Sequence, residues 1–349
     1  MIPKGRYCIV SVIYCLLILT LNGCESSRSK SLNVKTSIQV NGVSFVGPPR
    51  EYTNDPFTYV KNINANWAAL MPYAFCDPNR PEIKYDVQQW WGETSQGIIK
   101  QIIDAKSVGL KIMLKPHVWV KGQGWNGDFR CETSDHWELW EKSYSKYILD
   151  YAELADSLNV EMFCIGLEFR QVTKLRPDFW ERLIAEVRIK YHGPITYAAN
   201  WDNYQNINFW DKVDYIGINA YFPLDNKKSS NLKKLKSSWE DITEDLEEVH
   251  KEYDKVIILT EFGYRSIDGA AGNQWEIPDN YRNYNGQANL QIQSTAYQAL
   301  FETIWDKPWC GGGFLWKWYA DHENAGGKTN NDYTPQNKPV ESIIRTHFK

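Results

Sequence analysis

The chain reads as a (β/α)8 barrel, and three observations carry that reading. About eight short, β-branched apolar runs alternate with helical stretches, the pattern of a parallel sheet covered on both faces. Two of the runs, at 160–169 and 255–264, end abruptly in a glutamate followed by an aromatic, Glu168-Phe169 and Glu261-Phe262. A carboxylate at a strand exit is where such a barrel keeps its chemistry. The competing architecture, a doubly wound open sheet, normally shows a glycine-rich phosphate turn after its first strand; here that position holds Gly47-Pro48-Pro49.

The first strand is expected over 40–47, stopped by Pro48 and Pro49. A short helix fits 56–62, and the second strand, 65–73, ends in a proline turn. A helix over 94–108 puts Ile98, Ile99, Ile102, Ile103 and Ala105 on its buried side and stops at Gly109. The third strand covers 110–119 and leads into a glycine-rich insertion at 121–128. In the long helix that follows, 134–158, Trp137, Trp140, Tyr144, Tyr147, Ile148, Tyr151 and Leu154 recur at helical spacing, as a core face. The fourth strand ends at Glu168. A helix over 177–190 opens with Pro177 and Asp178. Gly193-Pro194 introduces the fifth strand, 195–201, and the sixth covers 213–221. A helix over 238–253, the seventh strand ending at Glu261, a helix over 291–305 and a last strand over 312–318 complete the count.

Ahead of the barrel, Lys4 and Arg6 precede an apolar segment over 8–21 that ends in Leu21-Asn22-Gly23-Cys24. The segment is shorter than the roughly 20 apolar residues of a membrane span, and its charged start and small-residue end fit an export signal. The ending looks like a bacterial lipobox. Residues 1–23 are therefore expected to be a lipoprotein signal peptide, with lipid on Cys24; the alternative is a plain N-terminal membrane anchor. Residues 24–36, rich in Ser and Lys, form a tether, and 37–349 form a single folded domain. The lipid on Cys24 would be its only membrane attachment, at a periplasmic or cell-surface face.

Composition narrows the partners. The formal net charge is −4, and the lysines at 227–228 and 233–236 read as a solvated approach to a helix, so nothing marks a nucleic-acid surface. None of the 7 cysteines forms a C-x-x-C pair, which argues against a zinc or redox site. Cys164 lies in an apolar strand as a core thiol. Cys76 and Cys131 both follow strands in loops expected to be neighbours, and in an oxidising compartment they could form a disulfide. His117 has no second histidine or aspartate at ligand spacing, so no metal is expected. The 16 tryptophans and 21 tyrosines include many beside Asn, Asp, His or Gly. Flat apolar faces next to polar groups suit pyranose rings, although filling between barrel and helices must account for many of them.

Strand exits in a barrel share one face, and that face gathers the candidates. Two carboxylates facing each other across an aromatic rim fit glycosidic-bond hydrolysis, in which one carboxyl protonates the leaving oxygen and the other attacks or activates water. For each glutamate the alternative is a helix-cap or salt-bridge acid. Lys115, His117, Asn200 and Tyr221 are the candidate hydroxyl contacts, and Trp119, Trp201, Trp316 and Trp318 the candidate stacking faces. Lys115 or Arg50 could instead pair with an acid in the mouth. Trp316 and Trp318 have the same strand parity and are expected on one side.

These residues carry a resemblance. The glutamates ending strands four and seven look like the acid/base and nucleophile of the retaining glycoside hydrolases of clan A. The details resemble glycoside hydrolase family 113, the β-mannanases. The matching features are Trp67-Ala68-Ala69-Leu70-Met71-Pro72-Tyr73, Leu114-Lys115-Pro116-His117, Ile165-Gly166-Leu167-Glu168 and Thr260-Glu261-Phe262-Gly263-Tyr264. Phe314-Leu315-Trp316-Lys317-Trp318 and Tyr333-Thr334-Pro335-Gln336-Asn337-Lys338-Pro339 extend the match across the chain. The resemblance implies Glu168 as general acid/base, Glu261 as nucleophile, no cofactor, and β-1,4-linked mannan, glucomannan or manno-oligosaccharide as substrate. Another clan A β-glycanase and a non-catalytic glycan-binding barrel are the alternatives. Leu167 is a departure, because many clan A enzymes carry Asn directly before the acid/base to hold the sugar 2-hydroxyl.

Overall fold

Two prolines decide how this barrel meets its substrate face. The computed structural model describes residues 38–123, 125–227, 231–273 and 287–349. The expected signal peptide, Cys24 and the tether lie outside the described residues. The chain enters through β1 (Val40–Val46) and α1 (Phe57–Asn62) and continues into β2 (Trp67–Leu70). At Met71-Pro72 that strand breaks, resumes as β3 (Tyr73–Asp77), and folds back as β4 (Arg80–Lys84). After α2 (Ser95–Ser107), β5 (Lys111–Leu114) breaks in the same way at Lys115-Pro116 and resumes as β6 (His117–Val120). Proline has no N–H to give to a sheet ladder, so both strands leave the barrel at the same level. Tyr73 pairs with His117, and β4, β3 and β6 form a separate sheet standing above the barrel. The runs 65–73 and 110–119, each expected to be one strand, are thus divided between the barrel and the sheet above it.

The remaining elements follow the expected alternation: α3 (Ser134–Ser157), β7 (Met162–Leu167), α4 (Arg170–Leu175), α5 (Pro177–Lys190) and β8 (Ile195–Asn200). Then come β9 (Tyr215–Asn219), α6 (Leu232–Tyr253), β10 (Ile257–Phe262), α7 (Leu290–Thr303), β11 (Cys310–Tyr319) and α8 (Val340–His347). Eight parallel strands close in the order β1-β2-β5-β7-β8-β9-β10-β11, with β11 back on β1. Strand alternation divides the apolar residues into two cores. A small inner one holds Trp67, Ala69, Met113, Met162, Cys164, Ala198, Ile258 and Phe314. The large outer one packs the other strand faces, such as Ile112, Phe163, Ile216 and Leu259, against the helices.

Helix starts follow local chemistry. Thr94, Thr133, Asn231 and Asn289 each accept a hydrogen bond from the N–H three residues ahead, which satisfies donors a helix start otherwise leaves open. The cap at Asn231 makes the lysine-rich stretch the first turn of α6, so that helix begins before the expected Ser238. On α2, Ile103 is 55% exposed and not buried as expected. Gln101 occupies the inner face instead, with its amide donating to the carbonyls of Gly92 and Gly97 at 2.6 and 3.0 Å.

The upper sheet is fastened from below by α3, whose Tyr147 hydroxyl lies 2.9 Å from the Pro72 carbonyl and 3.0 Å from that of His117. Tyr147→Phe removes the donor that these two buried carbonyls share. It is expected to destabilise the protein by about 1–3 kcal/mol in urea unfolding; unchanged stability would mean that the hydroxyl fastens nothing.

Candidate active site

Both strands that carry a glutamate at their exit contain one residue more than their neighbours. Cys164 and Leu167 of β7 pair with Thr196 and Ala198 of β8, two intervening residues against one. On β10, Leu259 and Glu261 pair with the adjacent Ile218 and Asn219 of β9. Such bulges redirect side chains. Strict alternation from the outward Ile257 and Leu259 would send Glu261 into the helix layer; the extra residue turns it to the barrel mouth and gives the outward place to Phe262. On β7 the extra residue turns Leu167 inward, and Glu168 follows in the left-handed region at φ +54°, a conformation a non-glycine residue adopts only when its surroundings hold it there. Gly263 lets β10 leave the mouth, because a Cβ there would sit 2.5 Å from the Trp316 carbonyl oxygen.

The two carboxylates have different surroundings. Glu261 receives the fully buried Lys115 ammonium on Oε1 at 2.5 Å and the Tyr221 hydroxyl on Oε2 at 2.7 Å. Lys115 also donates to the Thr260 carbonyl at 3.3 Å and lies 5.7 Å above the Trp316 ring. Glu168 meets only neutral donors. Asn219 Nδ2 reaches its Oε1 at 2.8 Å, and the Trp125 indole N–H reaches its Oε2 at 2.6 Å. The Thr260 hydroxyl donates to Asn219 Oδ1 at 2.8 Å, which fixes the amide with its N–H toward Glu168. Burial, and after it the charge of Glu261, push the Glu168 carboxyl up to about 7, against the downward pull of Asn219, Trp125 and Lys115.

Trp125 arrives on the glycine-rich insertion, and Arg170 holds it there. The guanidinium lies 4.5 Å from the indole ring and bonds Asp128 at 2.8 Å and Asp202 at 3.3 Å. The loops after β6 and β8 thereby meet over Glu168. Asn219, Thr260, Trp125 and Arg170 were not among the sequence candidates. A polar pair at a strand exit, Asn219 with Tyr221, was a signal for the first; a loop contact such as Trp125 with Glu168 leaves no local signature.

Of the candidate contacts, Lys115 and Tyr221 orient Glu261. His117 lies between Tyr73, at 4.9 Å between ring centres, and Trp316, stacked on it at 6.3 Å. Burial holds its imidazole well below the ordinary histidine range, neutral, and its Nε2 is enclosed. Trp316 faces the mouth, but Trp318 does not. Leu315 and Trp318 pair with Val43 and Phe45, so β11 also carries an extra residue that breaks the expected shared parity. Trp318 is buried in the outer core against His322. Asn200 is tied to Asp202 at 2.9 Å, and Trp201 packs on Phe222 at 5.9 Å, on the β8 side of the rim. Trp119 stands on the upper sheet, 51% exposed. Arg50 is exposed beyond β1. Cys76 and Cys131, the pair that could bridge, are buried thiols in this structure, each pushed up to about 12, chiefly by burial. Among the described residues no three His, Cys, Asp or Glu side chains are grouped to hold a metal.

The model of glycoside hydrolase family 113 matches residues 49–338. The chain belongs to that family. It is similar to the solved family 113 β-mannanase of Alicyclobacillus acidocaldarius, at 28% identity and a TM-score of 0.75, over 89% of this chain and 97% of that one. Two further structures described as family 113 β-1,4-mannanases match at 28% and 29% identity, with TM-scores of 0.74 and 0.72. They cover 89% and 88% of this chain, and 99% and 98% of their own. No curated protein matches. This family 113 chain is a glycoside hydrolase.

A protonated carboxyl facing an ion-paired carboxylate across one mouth can donate to an oxygen on one side while the other is attacked or stabilised. A carboxyl near 7 is protonated below that pH and loses its proton above it. Hydrolysis that needs Glu168 as donor should therefore fall as pH rises through about 7. Asn219→Ala removes a bond that favours the ionised carboxyl. In the kcat/KM profile its descending limb should move to higher pH, on top of a lower plateau. A limb that stays in place would separate Asn219 from the proton on Glu168.

Proposed function

We propose that this glycoside hydrolase cleaves β-1,4-mannosidic bonds in mannan, glucomannan or manno-oligosaccharides with retention of configuration. The observation that carries the reading is the unequal environment of the pair, with a buried cation on Glu261 and only neutral donors on a carboxyl held near 7 at Glu168. The family 113 β-mannanase structures support the choice of mannosidic substrate.

In the first half, a Glu261 oxygen bonds the anomeric carbon as the glycosidic C–O bond breaks, and the Glu168 proton passes to the departing oxygen. The ester formed at Glu261 no longer carries the negative charge that helps hold the Glu168 proton. Its pKa falls, and Glu168 is left as a base. In the second half, Glu168 takes a proton from water as the water oxygen bonds the same carbon. The ester bond breaks and returns Glu261 to a carboxylate. Two displacements on one carbon restore its configuration.

Glu168→Gln and Glu261→Gln should each lower kcat on mannan by about 10²–10⁴-fold while remaining folded by circular dichroism, and proton NMR of early products should show the β-anomer first. An α-anomer first, or a variant with near-wild-type turnover, would remove the double displacement or that residue's role. We further infer from residues 1–24 that the chain is exported and held at a membrane by lipid on Cys24. Cys24→Ser should shift it from the membrane to the soluble fraction; an unchanged distribution would count against the lipid.

A further inference from the structure

The upper sheet carries a feature that the reaction at Glu168 and Glu261 does not use. Trp90 and Trp119 are both 51% exposed, the only tryptophans among the exposed large apolar side chains of the described residues. Both line one cleft of about 390 Å³, with Tyr73, Phe75 and Glu93 in its wall. Phe75 braces Trp119 edge-on at 6.2 Å, and their strands are paired through the register that sets Phe75 opposite Trp119. The loop bearing Trp90 is tied to the same sheet by Gln89. Its amide donates to the Tyr73 carbonyl at 2.7 Å, and its side-chain oxygen accepts from the N–H groups of Val87 and Gln88 at 2.7 and 3.0 Å. The two indoles are thus held open to solvent on a rigid frame.

Position relates the cleft to the reaction. Tyr73 lines it and also touches the His117 ring that backs Trp316. Through Tyr73, His117 and Trp316 the wall of the cleft is continuous with the aromatic stack at the Lys115–Glu261 pair. Trp125 and Arg170 close over Glu168, not over this wall. Glu93 supplies the one carboxyl in a lining that otherwise consists of aromatic rings and the amides of Gln88 and Gln89. Burial pushes its carboxyl up to about 7, so near neutrality it can both donate and accept a hydrogen bond.

We propose that this cleft is a subsite for the glycone part of the substrate, the sugars beyond the one bonded to Glu261, with Trp90 and Trp119 as stacking faces and Glu93 as hydroxyl partner. The proposal rests on the mannosidic double displacement above for the identity of the sugar and for its direction. Pyranose C–H faces match exposed indoles, and a carboxyl matches the hydroxyl rim. Trp90 also lines a neighbouring cleft with Pro48, Tyr59 and Tyr319, so a longer glycone can continue past it along the rim.

The test uses the full-length protein and 4-nitrophenyl β-mannoside, β-mannobioside and β-mannotrioside, whose sugars all lie on the glycone side of the bond cleaved. Wild type should gain in kcat/KM as the glycone lengthens. Trp90→Ala and Trp119→Ala should each abolish about tenfold of that gain, and Trp119→Tyr, which keeps a stacking face, should restore most of it. A gain that survives both alanine variants, or an equal loss on all three substrates, overturns the subsite. Calorimetric titration of the Glu261→Gln protein with mannotetraose gives a readout independent of turnover. Trp119→Ala should weaken it about tenfold, and unchanged affinity again overturns the proposal. Wild type that binds mannotetraose through Trp119 yet cleaves no mannoside would leave the subsite standing and overturn the reaction instead.

Discussion

A carboxylate resting on top of a packed barrel has lost much of its water, and the Lys115 ammonium that meets Glu261 there is the constraint on which the mouth depends. Lys115 is wholly buried, so its charge would be uncompensated without Glu261, and breaking such a pair from either side costs far more than the pair contributes to stability. The pairing also places Trp316, over whose ring the ammonium sits, and through Trp316 the stacked His117. It acts on the other carboxyl as well, since Glu261 pushes the Glu168 proton affinity up and Lys115 pulls it down. In the proposed reaction, forming the ester removes one of these influences and leaves the other. The cation then serves the second step by favouring an ionised Glu168.

That arrangement could not be built from regular strands. The barrel needs β10 to alternate strictly while its side chains fill both cores, yet the mouth needs Glu261 on the side that alternation denies it. One additional residue on each of β7, β10 and β11 reconciles the two demands, and all three lie at the same end of the barrel. These three lie beside the acids, while a further shift, where Ile257 and Leu259 pair with Cys310 and Gly313, falls at the entry end of β11.

Where the chain repeats a physical rule, its fold was legible. Apolar runs, helix periodicity and the Gly and Pro stops locate all eight barrel strands, and the glutamates at two strand exits point to the shared mouth. Bulges defeat this kind of reading. Parity predicted a common side for Trp316 and Trp318, and no residue in β11 announces the extra position that separates them. Prolines within apolar runs were visible at Pro72 and Pro116, but the change of sheet they cause becomes apparent only when both breaks are seen at one level. Contacts made by loops were hidden for a different reason. Trp125 and Glu168 are brought together by Arg170 and two aspartates from separate segments, and no spacing in the chain encodes that meeting.

The proline breaks have a consequence for how such an enzyme can vary. Pro116 has no N–H to give on the side of β7, which pairs only with Met113 and Leu114, while on the other side the ladder runs on unbroken, from the Lys115 N–H on Leu70 to the His117 N–H on Pro72. The outer strand of the upper sheet, β4, pairs only with β3, so it can be resurfaced while the ladder that leads up from β2 and β5 keeps its register. Bond-breaking chemistry and the proposed grip on a longer glycan thus reside in two layers joined along one seam, and a change at the outer edge of the upper layer reaches the acids only through that seam.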